Sequence, residues 1–335
     1  IVADTEAHAR DAAELVEVDY EPLPAVTSCF EAFQPGAPLL YDDCPSNESY
    51  LYEAGDRQAV EAAFADADHT VAQRLVINRV TANPLETRGV IGEYDAGSGR
   101  YTLHCGFQRP WLFRRSLAEQ SFKVPESKVR LITGDIGGSY GLRGSIYPEM
   151  VLMPWAAKRV GRPVKWIAGR AESHLCDDDG RDNIVDAAMA FDSDGTFRAV
   201  KIRSWGNLGA YVSYRGAAPP VVHIGTVAGV YTTPAIHAEI SGMLTNTHCT
   251  SPYRGAGRPE ATYVIERMLD EAAREFGVDP AELRARNMIA SDAMPLKTAF
   301  GLTYDCGAFA ENQAEALKMA DYAGFAARKA ESQAN

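Results

Sequence analysis

The chain has 335 residues, 46% hydrophobic and 23% charged, values of an ordinary globular protein that exclude a disordered or low-complexity one. Its 45 acidic residues outnumber its 33 basic ones, for a net charge of −12, which argues against a nucleic-acid partner because phosphate binding needs a concentrated basic face. No apolar run approaches the ~20 residues that span a bilayer, and at roughly 150 residues per domain the length suggests two domains or one elaborated one.

Ile1-Val2-Ala3-Asp4 carries neither an initiator Met nor a signal-peptide pattern, so the chain reads as the middle of a longer protein. Residues 5–15 are strong helix formers, with Asp4 placed as N-cap. Val16-Glu17-Val18-Asp19-Tyr20 alternates apolar and polar side chains and predicts a half-buried strand, ended by Pro22 and Pro24. A Pro-, Gly- and Cys-rich connector follows as far as Ser49. Strands are predicted over 70–77 and 101–105, flanking a Gly/Asp turn at 95–99. A helix over 110–122 leads to a short strand at 128–132. Next come a helix over 146–160, a strand at 163–167, and a hairpin of 188–191 against 197–202 turning at Asp194-Gly195. The clearest helix covers 259–276, where Ala261, Val264, Ile265, Met268, Leu269, Ala272 and Phe276 make one apolar stripe. Pro259 lies in its first turn and Gly277 just past its end. Helices over 280–287 and 308–330 follow. Without strict βαβ alternation, the mixture predicts an α+β fold.

Three segments carry candidate chemistry. Gly137-Gly138-Ser139-Tyr140-Gly141 lies at a strand-to-helix turn, where glycines let backbone N–H groups approach an anion closely. The plainer reading is a tight turn that needs positive φ. It is neither a Walker loop nor a dinucleotide fingerprint. Ser251-Pro252-Tyr253-Arg254-Gly255-Ala256-Gly257-Arg258 precedes the best helix, so an anionic ligand would meet guanidinium forks, open backbone and a positive helix end together. The alternative pairs Arg258 with a nearby acid such as Glu260. Gln108-Arg109-Pro110 ends one strand and opens a helix, where the glutamine either caps or presents its amide to a bound group.

Other patterns point away from common chemistries. Six cysteines without a C-x-x-C pair argue against a zinc knuckle or thiolate iron–sulfur cradle in this chain, and their low density fits a reducing compartment. The seven histidines lack hydrolytic-zinc spacing, and no G-x-S-x-G elbow is present. Glu172, His174, Cys176, Asp177, Asp178 and Asp179 cluster, and they read as a solvated charged loop rather than a metal site. Asn47-Glu48-Ser49 matches a glycosylation sequon, a match frequent by chance.

The three segments, in this order and spacing, resemble the molybdenum-binding large subunit of the xanthine dehydrogenase/aldehyde oxidase/carbon monoxide dehydrogenase family. The likeness extends to Asn83-Pro84-Leu85-Glu86-Thr87-Arg88-Gly89, similar to that family's P-x-E-x-R-G segment, and to 126–170, 253–261 and 281–287. It implies an end of a hammerhead-like domain over 1–26, a connector over 27–49, the first molybdenum-cofactor-binding domain over 50–305 and the start of a second over 306–335. It also implies a molybdenum pterin cofactor, in bacteria usually the cytosine dinucleotide form, that hydroxylates carbon with oxygen from water. No protein side chain is expected to ligate the metal directly. Electrons would leave through a 2Fe-2S small subunit and an FAD medium subunit. Residue by residue, Gln108 matches the glutamine whose amide approaches the metal's oxo ligand. Gly137, Gly138, Ser139, Tyr140 and Gly141 match the loop lying against the metal ligands, with Tyr140 in the pocket wall. Arg254 matches the arginine that orients substrate or stabilises developing charge, and Gly255, Ala256 and Gly257 continue that cofactor loop.

Departures from the family pattern narrow the expectation. Ser139 and Tyr140 stand where the family loop commonly has glycine and phenylalanine. Gly255 stands where copper-type carbon monoxide dehydrogenases carry cysteine, which disfavours CO oxidation. Gly144 stands where a purine-type site has glutamate, which argues against xanthine. The family's catalytic glutamate matches no residue up to Asn335, so the remaining part of the molybdenum subunit would supply it. An aldehyde or N-heterocycle is the expected substrate, and 210–225 would give its pocket an aromatic wall. The alternative is a non-catalytic scaffold of the same fold. The cytoplasm is the expected compartment, with export of the folded enzyme to the periplasm as the other route.

Overall fold

A computed structural model describes residues 1–222 and 224–334. Nine principal strands form two mixed sheets. They are β1 (Glu48–Gly55), β2 (His69–Thr81), β3 (Gly89–Asp95), β4 (Arg100–Cys105), β5 (Val129–Ile132), β6 (Val164–Ile167), β7 (Asp179–Phe191), β8 (Phe197–Gly209) and β9 (Ala235–Leu244). The larger sheet has the order β1-β9-β8-β7-β2, with β8 and β9 parallel and the other neighbours antiparallel. The smaller has the order β5-β4-β3-β6, in which only β4 and β5 run parallel. Helices cover both sheets, as the α+β expectation requires.

The main core forms where the helix Arg258–Phe276 crosses the larger sheet. Its stripe of Ala261, Val264, Ile265, Met268, Leu269 and Ala272 packs on Val71, Leu75, Val185, Met189, Val200 and Ile202. Gly257 and Gly277, both left-handed, bound this helix. On the other face, Phe30 of the short helix Cys29–Ala32 meets Trp205 edge-on at 5.0 Å. The smaller sheet is covered by the helix Pro148–Val160. That helix comes so close to β3 that a Cβ on Gly92 would lie 2.3 Å from Pro154 N.

Several boundaries differ from the sequence reading. The first helix is Glu6–Glu14, capped by Thr5 instead of Asp4, because the Thr5 hydroxyl is the group that reaches His8 N (3.2 Å). Residues 16–20 form no strand and are exposed; no strand among the described residues runs beside them to complete a ladder. The helix predicted over 110–122 is α-helical for Pro110–Ser116 and then widens into a π turn over Leu117–Phe122. The helix predicted over 308–330 divides into Phe309–Met319 and Phe325–Ala334, broken where Asp321 turns left-handed before Gly324. The connector is not merely a linker. Fully buried Asn47 donates to Pro38 O (2.9 Å) and accepts from Leu40 N (3.0 Å), so the sequon's amide is an interior brace. No helix among the described residues is long and apolar enough to cross a membrane.

Candidate cofactor-binding site

The three segments singled out in the sequence meet in space. The loop after β5 places Gly138, Tyr140 and Gly141 at φ +107°, +51° and +113°. Gly137 lies flat on the 83–89 segment, its N–H donating to Glu86 Oε2 (2.7 Å) and its carbonyl accepting from Glu86 N (3.1 Å). At Gly141 a Cβ would fall 1.8 Å from the Pro252 carbonyl oxygen, so only glycine lets the two loops touch. Arg254 N then donates to Tyr140 O at 2.8 Å. Gln108 closes the group: its N–H donates to Arg143 O (3.1 Å), and its side-chain carbonyl accepts from Ser139 Oγ (3.1 Å).

In the second loop Gly255, Ala256 and Gly257 are all left-handed, at φ +91°, +47° and +97°. The Ala256 N–H is taken up by Tyr253 O (2.7 Å), which leaves the N–H groups on either side of it open. Among the described residues the N–H groups of Gly138, Ser139, Tyr140, Gly255 and Gly257 have no hydrogen-bond acceptor. The exposed Arg254 guanidinium likewise has no partner among them. Nearly every polar group offered here is a donor.

Buried and half-buried arginines hold this surface in place, and the residue-level reading missed two of them. Arg143 is 2% exposed and donates to Gly138 O (2.9 Å), Glu86 O (3.0 Å) and Glu86 Oε2 (2.9 Å), tying the glycine loop to the 83–89 segment. Arg181 donates to Arg254 O (2.9 Å), Tyr253 O (3.3 Å) and the buried Glu260 carboxylate (3.3 Å). That gives Glu260 a cationic partner outside its own helix. Arg88 binds Asp177 (2.6 Å) and Glu149 and lies over the Tyr147 ring at 3.7 Å.

The acidic run at 177–179 is therefore not a solvated loop. Asp177, Asp178 and Asp179 are all buried; Asp177 pairs with Arg88, and Asp179 pairs with Arg79 at 3.1 Å. Burial pushes the Glu149 carboxyl above the usual range, with Arg88 pulling it back. It does the same to Asp178, opposed by the hydroxyls of Ser213, Ser145 and Ser251. Asp178 Oδ2 is buried without a hydrogen-bond partner among the described residues. Of the expected aromatic wall, Tyr211 is exposed and Tyr214 bonds Ser116 Oγ at 2.9 Å; residue 223 of that stretch lies outside the described residues.

Residues 40–288 match the molybdopterin cofactor-binding domain family. The chain belongs to that family. It is 33% identical to the carbon monoxide dehydrogenase large chain of Hydrogenophaga pseudoflava, over 98% of this chain and 43% of that one. It is 32% identical to the 6-hydroxypseudooxynicotine dehydrogenase complex subunit gamma of Paenarthrobacter nicotinovorans, over 94% of this chain and 40% of that subunit. Among solved structures it superimposes on quinoline 2-oxidoreductase from Pseudomonas putida 86 with a TM-score of 0.92 and 31% identity, covering 99% of this chain and 42% of the other. The chain thus spans about two-fifths of the length of these relatives.

The residues present fit such a cofactor. An oxygen-rich, anionic molybdopterin needs close backbone approach and many donors. Unpaired N–H groups at 138–140, 255 and 257, beside the Arg254 fork, offer both.

Proposed function

We propose that this chain forms the cofactor-holding part of the catalytic subunit of a molybdenum hydroxylase that oxidises an aldehyde or an N-heterocycle with oxygen from water. The observation that carries this reading is the convergence of Gln108, the 137–141 loop and the 254–257 loop on one donor-lined surface. When bound, the molybdenum pterin supplies two-electron oxidation at carbon.

The chain's own residues bind and orient. The open N–H groups of Gly138, Ser139, Tyr140, Gly255 and Gly257, with the Gln108 amide, hold the cofactor's oxygens. Arg254 orients substrate and stabilises negative charge that develops in the transition state, a task suited to its rigid fork. Tyr140 forms a pocket wall and adds a hydroxyl to it. We assign the proton-accepting glutamate to the remaining part of the subunit, and electron exit to a 2Fe-2S small subunit and an FAD medium subunit. The cofactor is taken to be the cytosine dinucleotide form, inserted in the cytoplasm. We divide the chain into the end of a hammerhead-like domain (1–26), a connector (27–49), the first cofactor-binding domain (50–305) and the start of a second (306–335).

Two glycines support the substrate class. A Cβ at Gly255 would lie 2.5 Å from the Pro259 ring, so a copper-binding cysteine has no room there without rearrangement. A Cβ at Gly144 would lie 3.2 Å from Gln108 Oε1, so a purine-type glutamate would crowd the glutamine. The quinoline and hydroxypseudooxynicotine enzymes among the relatives lie on the side of N-heterocycles. Metal and pterin analysis of the enzyme purified with its neighbouring subunits tests the proposal. Molybdenum and pterin at about one per catalytic subunit are expected, and a fully assembled complex without molybdenum overturns it.

A further inference from the structure

We propose that Ser139 is a positioning residue that fixes the polarity of the Gln108 carboxamide, turning its oxygen inward and its NH2 toward the bound cofactor. This rests on the reading above that the site holds a molybdenum pterin.

The argument is one of hydrogen-bond capacity. A serine hydroxyl accepts two hydrogen bonds and donates one. Ser139 Oγ already accepts from the backbone N–H of Arg143 (3.3 Å) and of Gly141 (3.4 Å). Its two acceptor positions are filled, so its proton is all it has left to offer. The group it meets is the Gln108 carboxamide at 3.1 Å, and a donor can only be answered by the carbonyl oxygen. The flipped amide would set an NH2 donor against a hydroxyl with no free lone pair.

The surroundings leave room for this one arrangement. Gly144 lies under the same oxygen, and even a methyl group there would come within 3.2 Å of it. The backbone of Gln108 is fixed by its bond to Arg143 O (3.1 Å). Arg143 in turn holds Gly138 O and Glu86, so Ser139, Gln108 and the glycine loop form one unit. Gln108 Nε2 has no acceptor among the described residues. It joins the unpaired N–H groups of the loops and completes a surface of donors. Glycine at 139, common in the resembling family, has no hydroxyl with which to impose this orientation.

The test uses the assembled holoenzyme and the electron paramagnetic resonance signal of its Mo(V) state, generated with dithionite, so no substrate need be known. Ser139→Ala is expected to shift the signal toward that of Gln108→Ala, whereas Ser139→Thr, which keeps the hydroxyl, retains the native signal. In the Gln108→Ala background, Ser139→Ala should produce no further shift; a purely structural role for the hydroxyl would still produce one. Should Ser139→Ala lose the cofactor, Gln108→Glu carries the test. It keeps an oxygen for Ser139 but removes the outward donor, so its signal must differ from the native one. A native signal in Ser139→Ala or in Gln108→Glu at full molybdenum content overturns this proposal alone. A shift that persists in the Gln108→Ala background does the same. Absence of molybdenum from the assembled enzyme overturns the functional reading as well.

Discussion

The core beneath the larger sheet and the loops of the cofactor site are built on opposite principles. Under the sheet, Leu269, Met268, Ile265 and their partners exclude water over a wide area, and no single contact decides the geometry. At the loops there is little apolar surface. Position is set by a few arginines, the buried Arg88 and Arg143 and the half-buried Arg181, each bonded to named carbonyls and carboxylates. Apolar packing is non-directional and forgives a change of shape. A buried charge network is directional and fails as a unit when one partner goes.

The sharpest way to break this contrast is Arg88→Met, which removes the cation between Asp177 and Glu149 while keeping much of the volume. Two buried carboxylates are left without compensation, and a loss of about 3–5 kcal/mol is expected. Chemical denaturation of the full subunit measures it; a cost under about 1 kcal/mol would show that the pairs do not hold the fold. Gly141→Ala should cost about 1–3 kcal/mol from its left-handed backbone. It should also lower the molybdenum content, because its Cβ forces the Pro252 carbonyl away; metal analysis beside thermal melting separates the two effects. Full metal content in that variant would show that the loops need not touch.

Asp178 sharpens the comparison through pH. Its folded-state pKa is raised by burial above the ordinary 3.8, so the folded protein holds that proton more firmly than the unfolded chain does. Its contribution to stability is therefore complete below the ordinary value and is lost as pH rises through the raised one. Asp178→Asn lacks this dependence. Its stability relative to the native protein should climb as pH rises above about 4, by no more than about 1.4 kcal/mol per pH unit. Parallel stability curves across that range would contradict the burial argument. The smallest effect belongs to the apolar side, where Leu269→Met should cost less than about 1.5 kcal/mol in the same denaturation assay.

The same division explains what was legible in the sequence. The helix Arg258–Phe276 was readable because burial on one face repeats every three to four residues. The hairpin of β7 and β8 was readable from its Asp194-Gly195 turn. Strand β9, buried on both faces, has no alternation to detect, and β1 and β3 were missed with it. Of the site, the glycine loops and Gln108 were singled out by their place at helix openings, and the resemblance to a family then gave them roles. Arg143 and Arg181 were not: Arg143 is buried in a short irregular segment that leaves no periodic trace, and Arg181, at the start of β7, looks in sequence like any half-buried strand residue. Asp177–Asp179 looked like solvated acids because the arginines that pair with them come from β2 and the segment before β3.

The sequence alone determined the apolar stripes and the turns, because these depend on local backbone and on near neighbours along the chain. It also fixed the residue types available at the site. Only the tertiary structure decided which of them face one another. Ser139 is a departure from the family pattern when read in line. In three dimensions its hydroxyl, filled on both acceptor sides, meets the one glutamine 31 positions earlier. Hydrogen bonds and ion pairs between distant segments depend on where the fold brings them, and that is settled by the packing of the whole.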